Sequence, residues 1–257
     1  SQMMHRRLIG LSAAVFLAAA AGCRSMGDPP DFETSYRAAQ RAEASHNDAA
    51  FAKASREAED ATKPDDADHE ASIGVLLLKA GRHGSDAMKQ RDMLSRAAGH
   101  LDLALARRPD AVAWRFDRGL AALLLGDGPD AVTVLEEVNR EAPGDDDARQ
   151  LLARAYLAVG DDRAAADVLE APSPAAHEAG RLELRGSALL LVGESKAAER
   201  CFTGALALAG DCPRILCNRA LAREKDGDLA GARADYDRAL KLDPTCSPAK
   251  SGLAELP

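Results

Sequence analysis

Residues 213–246 read PRILCNRALAREKDGDLAGARADYDRALKLDPTC and show most clearly how the chain is expected to fold. Two apolar stripes with steps of three and four residues flank Gly227, which predicts two helices joined by a tight turn. Gly227 is suited to end the first helix because glycine adopts positive φ without a Cβ clash. Pro244 favours the end of the second helix. Ala220 and Ala232 are small enough to lie where the two helices cross.

The same pattern returns upstream at a spacing of about 34 residues. Three earlier copies cover 112–145, 146–178 and 179–212, with small residues, a turn glycine and a large apolar residue at matching positions (Gly119, Gly126, Ala131, Leu135 and Pro143 in the first; Gly186, Gly193, Ala198 and Phe202 in the third). Residues 33–111 continue the pattern as two degenerate copies, and 247–257 form a cap or tail. Extra residues near 82–92 are interpreted as a longer connection between two helices. The sequence therefore predicts an all-α array of about six helix pairs.

This arrangement of small, glycine, alanine, aromatic and proline positions resembles the tetratricopeptide repeat (TPR) family. The resemblance covers 112–246 well and 33–111 loosely. Arg219 and Arg223 depart from it, since large apolar or aromatic residues are usual there, and we expect them to weaken the first helix of the last repeat. The resemblance implies a right-handed α-α superhelix, a solenoid with a concave groove lined by the first helix of each pair. The alternative is a generic all-α bundle with coincidental spacing.

Residues 4–23 read MHRRLIGLSAAVFLAAAAGC and set the expected location of the protein. Two arginines precede an uncharged, mostly apolar run that is shorter than the ~20 residues of a bilayer span. Such a run is typical of a signal peptide. Its end, Ala20-Ala21-Gly22-Cys23, resembles the bacterial lipobox.

The lipobox resemblance implies that 1–23 is a lipoprotein signal peptide and that Cys23 is the lipidation site. Two or three acyl chains would then hold the protein on a membrane. Residues 24–32 are interpreted as a polar tether. Because Arg24, not aspartate, follows the cysteine, we expect the outer membrane of a bacterial envelope, facing the periplasm. An ordinary secreted signal and an uncleaved anchor remain alternatives.

Composition and motifs argue against other function classes. The formal net charge is −8, and no cluster of Lys or Arg is present, which disfavours nucleic acid and electrostatic membrane docking. The sequence contains no GxSxG, HExxH or GxxxxGK[ST] motif. We therefore predict that the protein is not an enzyme and uses no cofactor, metal or small-molecule substrate.

By the geometry that the resemblance implies, the partner-binding residues of the concave face are Phe116, Leu120, Gln150, Arg154, Glu183, Ser187 and Arg214. Apolar anchors combined with Arg154 and Arg214 suit an extended or helical peptide of a protein partner, with the arginines holding carboxylate groups. Some apolar positions of these helices are equally suited to the core.

Four cysteines remain besides Cys23: Cys201, Cys212, Cys217 and Cys246. Cys212 and Cys246 occupy equivalent positions of adjacent repeats, ~10 Å apart in such arrays, which is too far for a disulfide. Cys201 and Cys217 are the better-placed pair. Free thiols filling small core positions are the favoured alternative.

These features predict a membrane-anchored interaction scaffold of the bacterial cell envelope. In size, lipobox and repeat number the chain resembles pilotin and outer-membrane-assembly lipoproteins, which implies a role in assembling an envelope machine. The alternative is a structural periplasmic solenoid that self-associates and has no dedicated client.

Overall fold

The computed structural model describes residues 31–63, 66–83 and 86–256, and these ranges form thirteen α-helices and no strand. The helices are α1 Phe32–Ala44, α2 Asp48–Ala61, α3 Ala67–His83, α4 Ala87–Arg107, α5 Val112–Leu125, α6 Gly128–Glu141, α7 Asp146–Val159, α8 Asp162–Val168, α9 Ala175–Val192, α10 Ser195–Ala209, α11 Pro213–Asp226, α12 Leu229–Leu242 and α13 Ser247–Glu255. The all-α prediction is confirmed.

The described residues divide into two compact units, one with α1 to α5 that ends at Leu125 and one with α6 to α13 that begins at Gly126. Inside each unit a helix packs mainly on its neighbours in sequence. Alternate helices also touch, so that α7 contacts α9 and α9 contacts α11. Packing restricted to near neighbours is the property that lets helix pairs be added one after another in a repeat array.

Within a pair, a small residue on one helix lies under a large residue on the other. Gly186 of α9 faces Phe202 of α10, and a Cβ atom at Gly186 would stand 2.8 Å from the Phe202 ring. Phe202 is fully buried. In the same way, a Cβ atom at Gly74 would stand 2.8 Å from Leu101 of α4. The missing side chains allow the two backbones to approach, which fixes where the helices cross.

Turns inside the pairs follow the predicted chemistry. Gly227 ends α11 with φ of 90° and Gly193 ends α9 with φ of 91°, a left-handed conformation that other residues rarely adopt. Asp228 then caps α12, because its Oδ1 accepts a hydrogen bond from the backbone N–H of Gly231 at 2.9 Å. The prediction that Gly227 ends the first helix is confirmed.

The residues near 82–92 do not form the longer connection that we expected. α3 continues to His83 and α4 begins at Ala87, after the N-cap Asp86, whose side chain accepts from the backbone N–H of Met88 and Lys89. The extra residues therefore lengthen the helices, which reach 17 and 21 residues.

Two predicted boundaries also shift. α9 begins at Ala175, before the expected repeat start at 179, and α8 is a seven-residue helix that ends at Val168. Pro172 and Pro174 then hold the chain extended, since proline restricts both itself and the residue before it. Residue 32 belongs to α1 and not to the tether, because Asp31 caps that helix.

The signal peptide, Cys23 and the tether up to residue 30 lie outside the described residues. Over the ranges that the structure describes, no helix is both long enough and apolar enough to cross a membrane.

A charged cluster joins α2, α3 and α4 in the first unit. His100 lies between Glu70, at 2.6 Å from Nδ1 to Oε2, and Glu59, at 3.6 Å from Nε2 to Oε1. Burial alone would lower the pKa of His100, but hydrogen bonds to the two carboxylates outweigh it and raise the pKa above 6.5. Burial alone would raise the pKa of Glu59, but His100 and Arg96 hold it below 4.5.

We expect Gly186→Leu to lower the free energy of unfolding by about 2–3 kcal/mol, because the buried Phe202 ring leaves no room for the new side chain. The measurement is urea denaturation followed by circular dichroism. Gly99→Leu is the matched control, since no atom lies within 4 Å of a Cβ at that helical glycine. Equal stability of the two variants would contradict the crossing described above.

We expect His100→Gln to cost about 1 kcal/mol of unfolding free energy at about pH 5.5 and much less at about pH 8.5. Because the pKa of His100 is raised in the folded protein, protonated His100 stabilises the fold at pH values below 6.5. This stability is lost as the pH rises through the pKa of His100 in the folded state. The lowered pKa of Glu59 adds stability that is lost only as pH falls below 4.5. Urea titrations at both pH values test this, with the exposed His83→Gln as control; a cost independent of pH would contradict it.

Candidate partner-binding face

The first helices of the three pairs in the second unit, α7, α9 and α11, lie side by side. Arg214 of α11 forms an ion pair with Glu183 of α9. Gln150 of α7 lies opposite Gly180 of α9, where a Cβ atom would stand 3.6 Å from its Oε1. The structure therefore brings the predicted residues Gln150, Glu183 and Arg214 to the contacts between neighbouring first helices.

Other residues share this surface by helical spacing, because side chains four residues apart lie on one side of a helix. The surface, called the first-helix face below, consists of Gln150 and Arg154 on α7, Glu183, Ser187 and Leu191 on α9, and Arg214 and Leu221 on α11. Leu191 is 64% exposed and Leu221 is 38% exposed. Sequence reasoning missed Leu191, although its position four residues after Ser187 was the signal that could have found it.

The two arginines of this face differ in what they can bind. Arg214 is already paired with Glu183, so a partner's carboxylate would compete with that ion pair. Arg154 is exposed and forms no ion pair with any residue that the structure describes. Since an unpaired guanidinium binds a carboxylate with charge-assisted hydrogen bonds, Arg154 is the better anchor.

Two other predicted residues serve the fold. Ser187 donates its hydroxyl to the backbone oxygen of Glu183 at 3.1 Å, and Gln150 donates its amide to Oδ2 of Asp146 at 2.8 Å. Both side chains are half-buried. A partner that contacts them would compete with these internal bonds.

Asp146 holds the connection between α8 and α9 against α7. This buried carboxylate accepts from Arg149 Nη2 at 2.9 Å, lies 3.2 Å from His177 Nδ1, and bonds to the Ser173 hydroxyl. Burial would raise the pKa of Asp146, but hydrogen bonds from Ser173 and Gln150 keep it below 3.8. Asp146 therefore positions α9, and with it Glu183 and Leu191, relative to α7.

Phe116 and Leu120 belong to α5 in the first unit and are half-buried. Leu120 packs against the core cluster of that unit, which contains Phe51 and Leu77, so it acts as a core residue and not as a free anchor. Asp117 lies between these two residues in sequence. Burial raises the pKa of Asp117 to about 6, and the charge of Arg82 only partly opposes this shift.

Arg219 and Arg223, which depart from the family pattern, form a charge cluster around the buried Asp235. Both guanidinium groups bond to Asp235 of α12, Arg219 at 2.7 and 2.8 Å and Arg223 at 2.9 Å. Arg223 also donates to Glu199 of α10 at 2.8 Å. Because Asp235 is only 4% exposed, its charge needs these partners. The cluster joins α10, α11 and α12.

The four described cysteines are free thiols, and Cys201, Cys217 and Cys246 fill buried positions. The pair whose sulfurs touch is Cys217 and Cys246, at 3.6 Å, and not the expected Cys201 and Cys217. α13 explains the difference, because Cys246 is its N-cap and α13 packs on α11.

Comparisons with solved structures agree with this architecture. The chain is similar to the C-terminal part of a TPR protein from Cytophaga hutchinsonii (TM-score 0.63, 16% identity, covering 86% of this chain and 84% of that one). It is also similar to PilF of Pseudomonas aeruginosa (TM-score 0.61, 15% identity, 87% and 97%). A third is YrrB, described as a TPR protein with an unusual peptide-binding site (TM-score 0.60, 16% identity, 74% and 93%). At these identities the likeness shows the fold alone.

No curated protein sequence matches the chain. Family models do match: one tetratricopeptide repeat model covers residues 82–146 and 183–245, and a second covers 122–185. Together they span the chain continuously from residue 82 to residue 245, which is more than half of its length. The chain belongs to the tetratricopeptide repeat family.

Proposed function

We propose that the protein is an interaction scaffold that holds a peptide or helix of a partner protein on its first-helix face. The observation that carries this proposal is the exposure of Leu191 and Leu221 on the same face as the unpaired Arg154. When a partner covers large apolar side chains that are exposed to water, their burial stabilises the complex. The arginine adds one carboxylate contact that orients the bound segment.

Family membership supports a binding role, since repeat arrays use extended surfaces of this kind to bind other proteins. YrrB, whose fold is similar, is described as having a peptide-binding site. For the present chain a bound peptide remains a proposal. The partner segment that fits best is mainly apolar with one acidic group, since the face offers two exposed leucines and one free cation.

Anchoring to a membrane of the bacterial envelope through Cys23 is the second part of the proposal. It rests on the sequence of residues 4–23. A scaffold with two or three acyl chains would stay at the membrane while its repeats bind a component of an envelope machine. Its role would then be pilotin-like, or it would assist the assembly of that machine. A self-associating structural solenoid is the alternative, and exposed leucines are also compatible with contacts between copies.

We expect a photo-crosslinking residue at position 191 to capture a defined partner in cells, whereas the same residue at position 208 captures none. Leu208 is the matched control because it is 57% exposed but lies on α10, a second helix. Mass spectrometry of the adducts identifies the partner and the crosslinked segment. Adducts that contain only this chain would favour the self-associating alternative.

Once that segment is known, we expect Arg154→Ala with Leu191→Ala to weaken its binding at least about tenfold in calorimetry, the scale of losing two central contacts. Arg200→Ala with Leu208→Ala removes the same two residue types from α10 and should leave affinity unchanged. Equal weakening by both double variants would place the binding site elsewhere.

We expect wild-type protein expressed in a bacterium to incorporate labelled palmitate and Cys23→Ser to lose the label, because the thiol is the acceptor of the lipid. Cys212→Ser is the control, since it removes a half-buried thiol of the folded unit. Labelling that persists in Cys23→Ser would overturn the anchoring proposal and leave the peptide-binding proposal untouched.

A further inference from the structure

The sulfur atoms of Cys217 and Cys246 touch inside the second unit. The Sγ–Sγ distance is 3.6 Å and both residues are buried. Closing this gap to a disulfide bond of ~2.05 Å requires the sulfurs to approach each other by roughly 1.5 Å. The two residues lie on different helices, so the contact joins elements that the backbone does not hold together directly.

We propose that Cys217 and Cys246 form a redox-sensitive pair, which a small-molecule disulfide converts into an intrachain disulfide that ties α11 to α13. Neither residue is used by the first-helix face or by lipidation. The pair therefore goes beyond the proposed function, and its test does not depend on it.

The geometry favours this pair over the other thiols. Cys246 is the N-cap of α13, a nine-residue helix that contacts only α11 and α12 among the described elements. Cys217 lies one turn after Arg214 on α11. Among the described cysteines, no other two sulfurs touch.

The reaction is thiol–disulfide exchange, with oxidised glutathione as a suitable oxidant. The Cys246 thiolate attacks one glutathione sulfur, the glutathione S–S bond breaks, and the first reduced glutathione leaves with the proton. Cys217, once deprotonated, attacks Sγ of Cys246 and releases the second glutathione. The two cysteines lose two electrons in total, and the glutathione disulfide gains them.

Burial should make the reaction slow. It raises the pKa of the Cys217 thiol to about 12, and the hydrogen bond with Cys246 adds to the effect. The Cys217 thiolate, which performs the second step, is therefore scarce while α13 is docked. Brief undocking of this short helix would expose both thiols, and redocking would place them for closure.

The consequence would be mechanical. A bond between residues 29 apart removes conformational freedom from the unfolded chain and holds α13 on α11. Since Arg214 is one turn from Cys217, oxidation would also stiffen the edge of the first-helix face. Reduction would release α13 again.

The test incubates the full chain with oxidised glutathione, alkylates the remaining thiols, and digests the protein with trypsin. We expect a loss of about 2 Da and a disulfide-linked pair of peptides, ILCNR (215–219) and LDPTCSPAK (242–250). The midpoint of thermal unfolding should rise by about 5–10 °C and return with dithiothreitol.

Matched serine variants separate this pair from the alternatives. Cys246→Ser should lose the linked peptides and the thermal shift, whereas Cys212→Ser should keep both. To exclude slow access as a reason for failure, the incubation is repeated in urea just below the unfolding transition, where α13 opens reversibly. Free thiols at both positions under these conditions, or a linkage of Cys246 to Cys212, would overturn the proposal.

Discussion

The contact of a glycine on one helix with a large side chain on the next sets the geometry on which the remaining structure depends. Gly186 under Phe202 allows the backbones of α9 and α10 to approach, and this approach fixes the crossing of the pair. Once each pair has its crossing, stacking of pairs places α7, α9 and α11 beside one another. The first-helix face therefore depends on small residues that are buried between the paired helices. Because packing extends only to near neighbours, a disturbed crossing would distort the adjacent pairs first.

Internal pairing of charges decides what the face can recognise. Arg214 is paired with Glu183, which leaves Arg154 as the exposed cation of the face without an ion pair in the described ranges. The formal net charge of −8 repels a strongly acidic partner at long range, but at physiological salt this repulsion fades within about 8 Å. A segment with one carboxylate among apolar residues experiences little repulsion and still gains the Arg154 contact. The charge pattern thus favours selection by local fit over electrostatic steering.

Periodicity predicted the helix pairs and the turn at Gly227 because both depend on neighbours in sequence. It failed at 82–92 because the local helix propensity of these residues exceeds what the repeat spacing implies. Residues 87–92 read AMKQRD, mostly strong helix formers, and Asp86 is suited to cap them, so the extra residues add turns to the helices. The pairing of Arg214 with Glu183 joins residues 31 apart on different helices, and no local pattern reports such a contact. The same limit applies to Cys217 and Cys246, whose contact depends on how α13 docks.

The departures of the last repeat from the family pattern have a common consequence. An Arg–Asp–Arg cluster replaces apolar contacts between α11 and α12, and a buried ion cluster orients helices while adding little net stability. The last pair therefore relies more on the helix that covers it. α13 supplies this cover, since Gly252 lies against the Tyr236 ring and Ala249 is fully buried. A covalent link between α11 and α13 would reinforce this cover, so that the redox state of two thiols would act on the helix that closes the last pair.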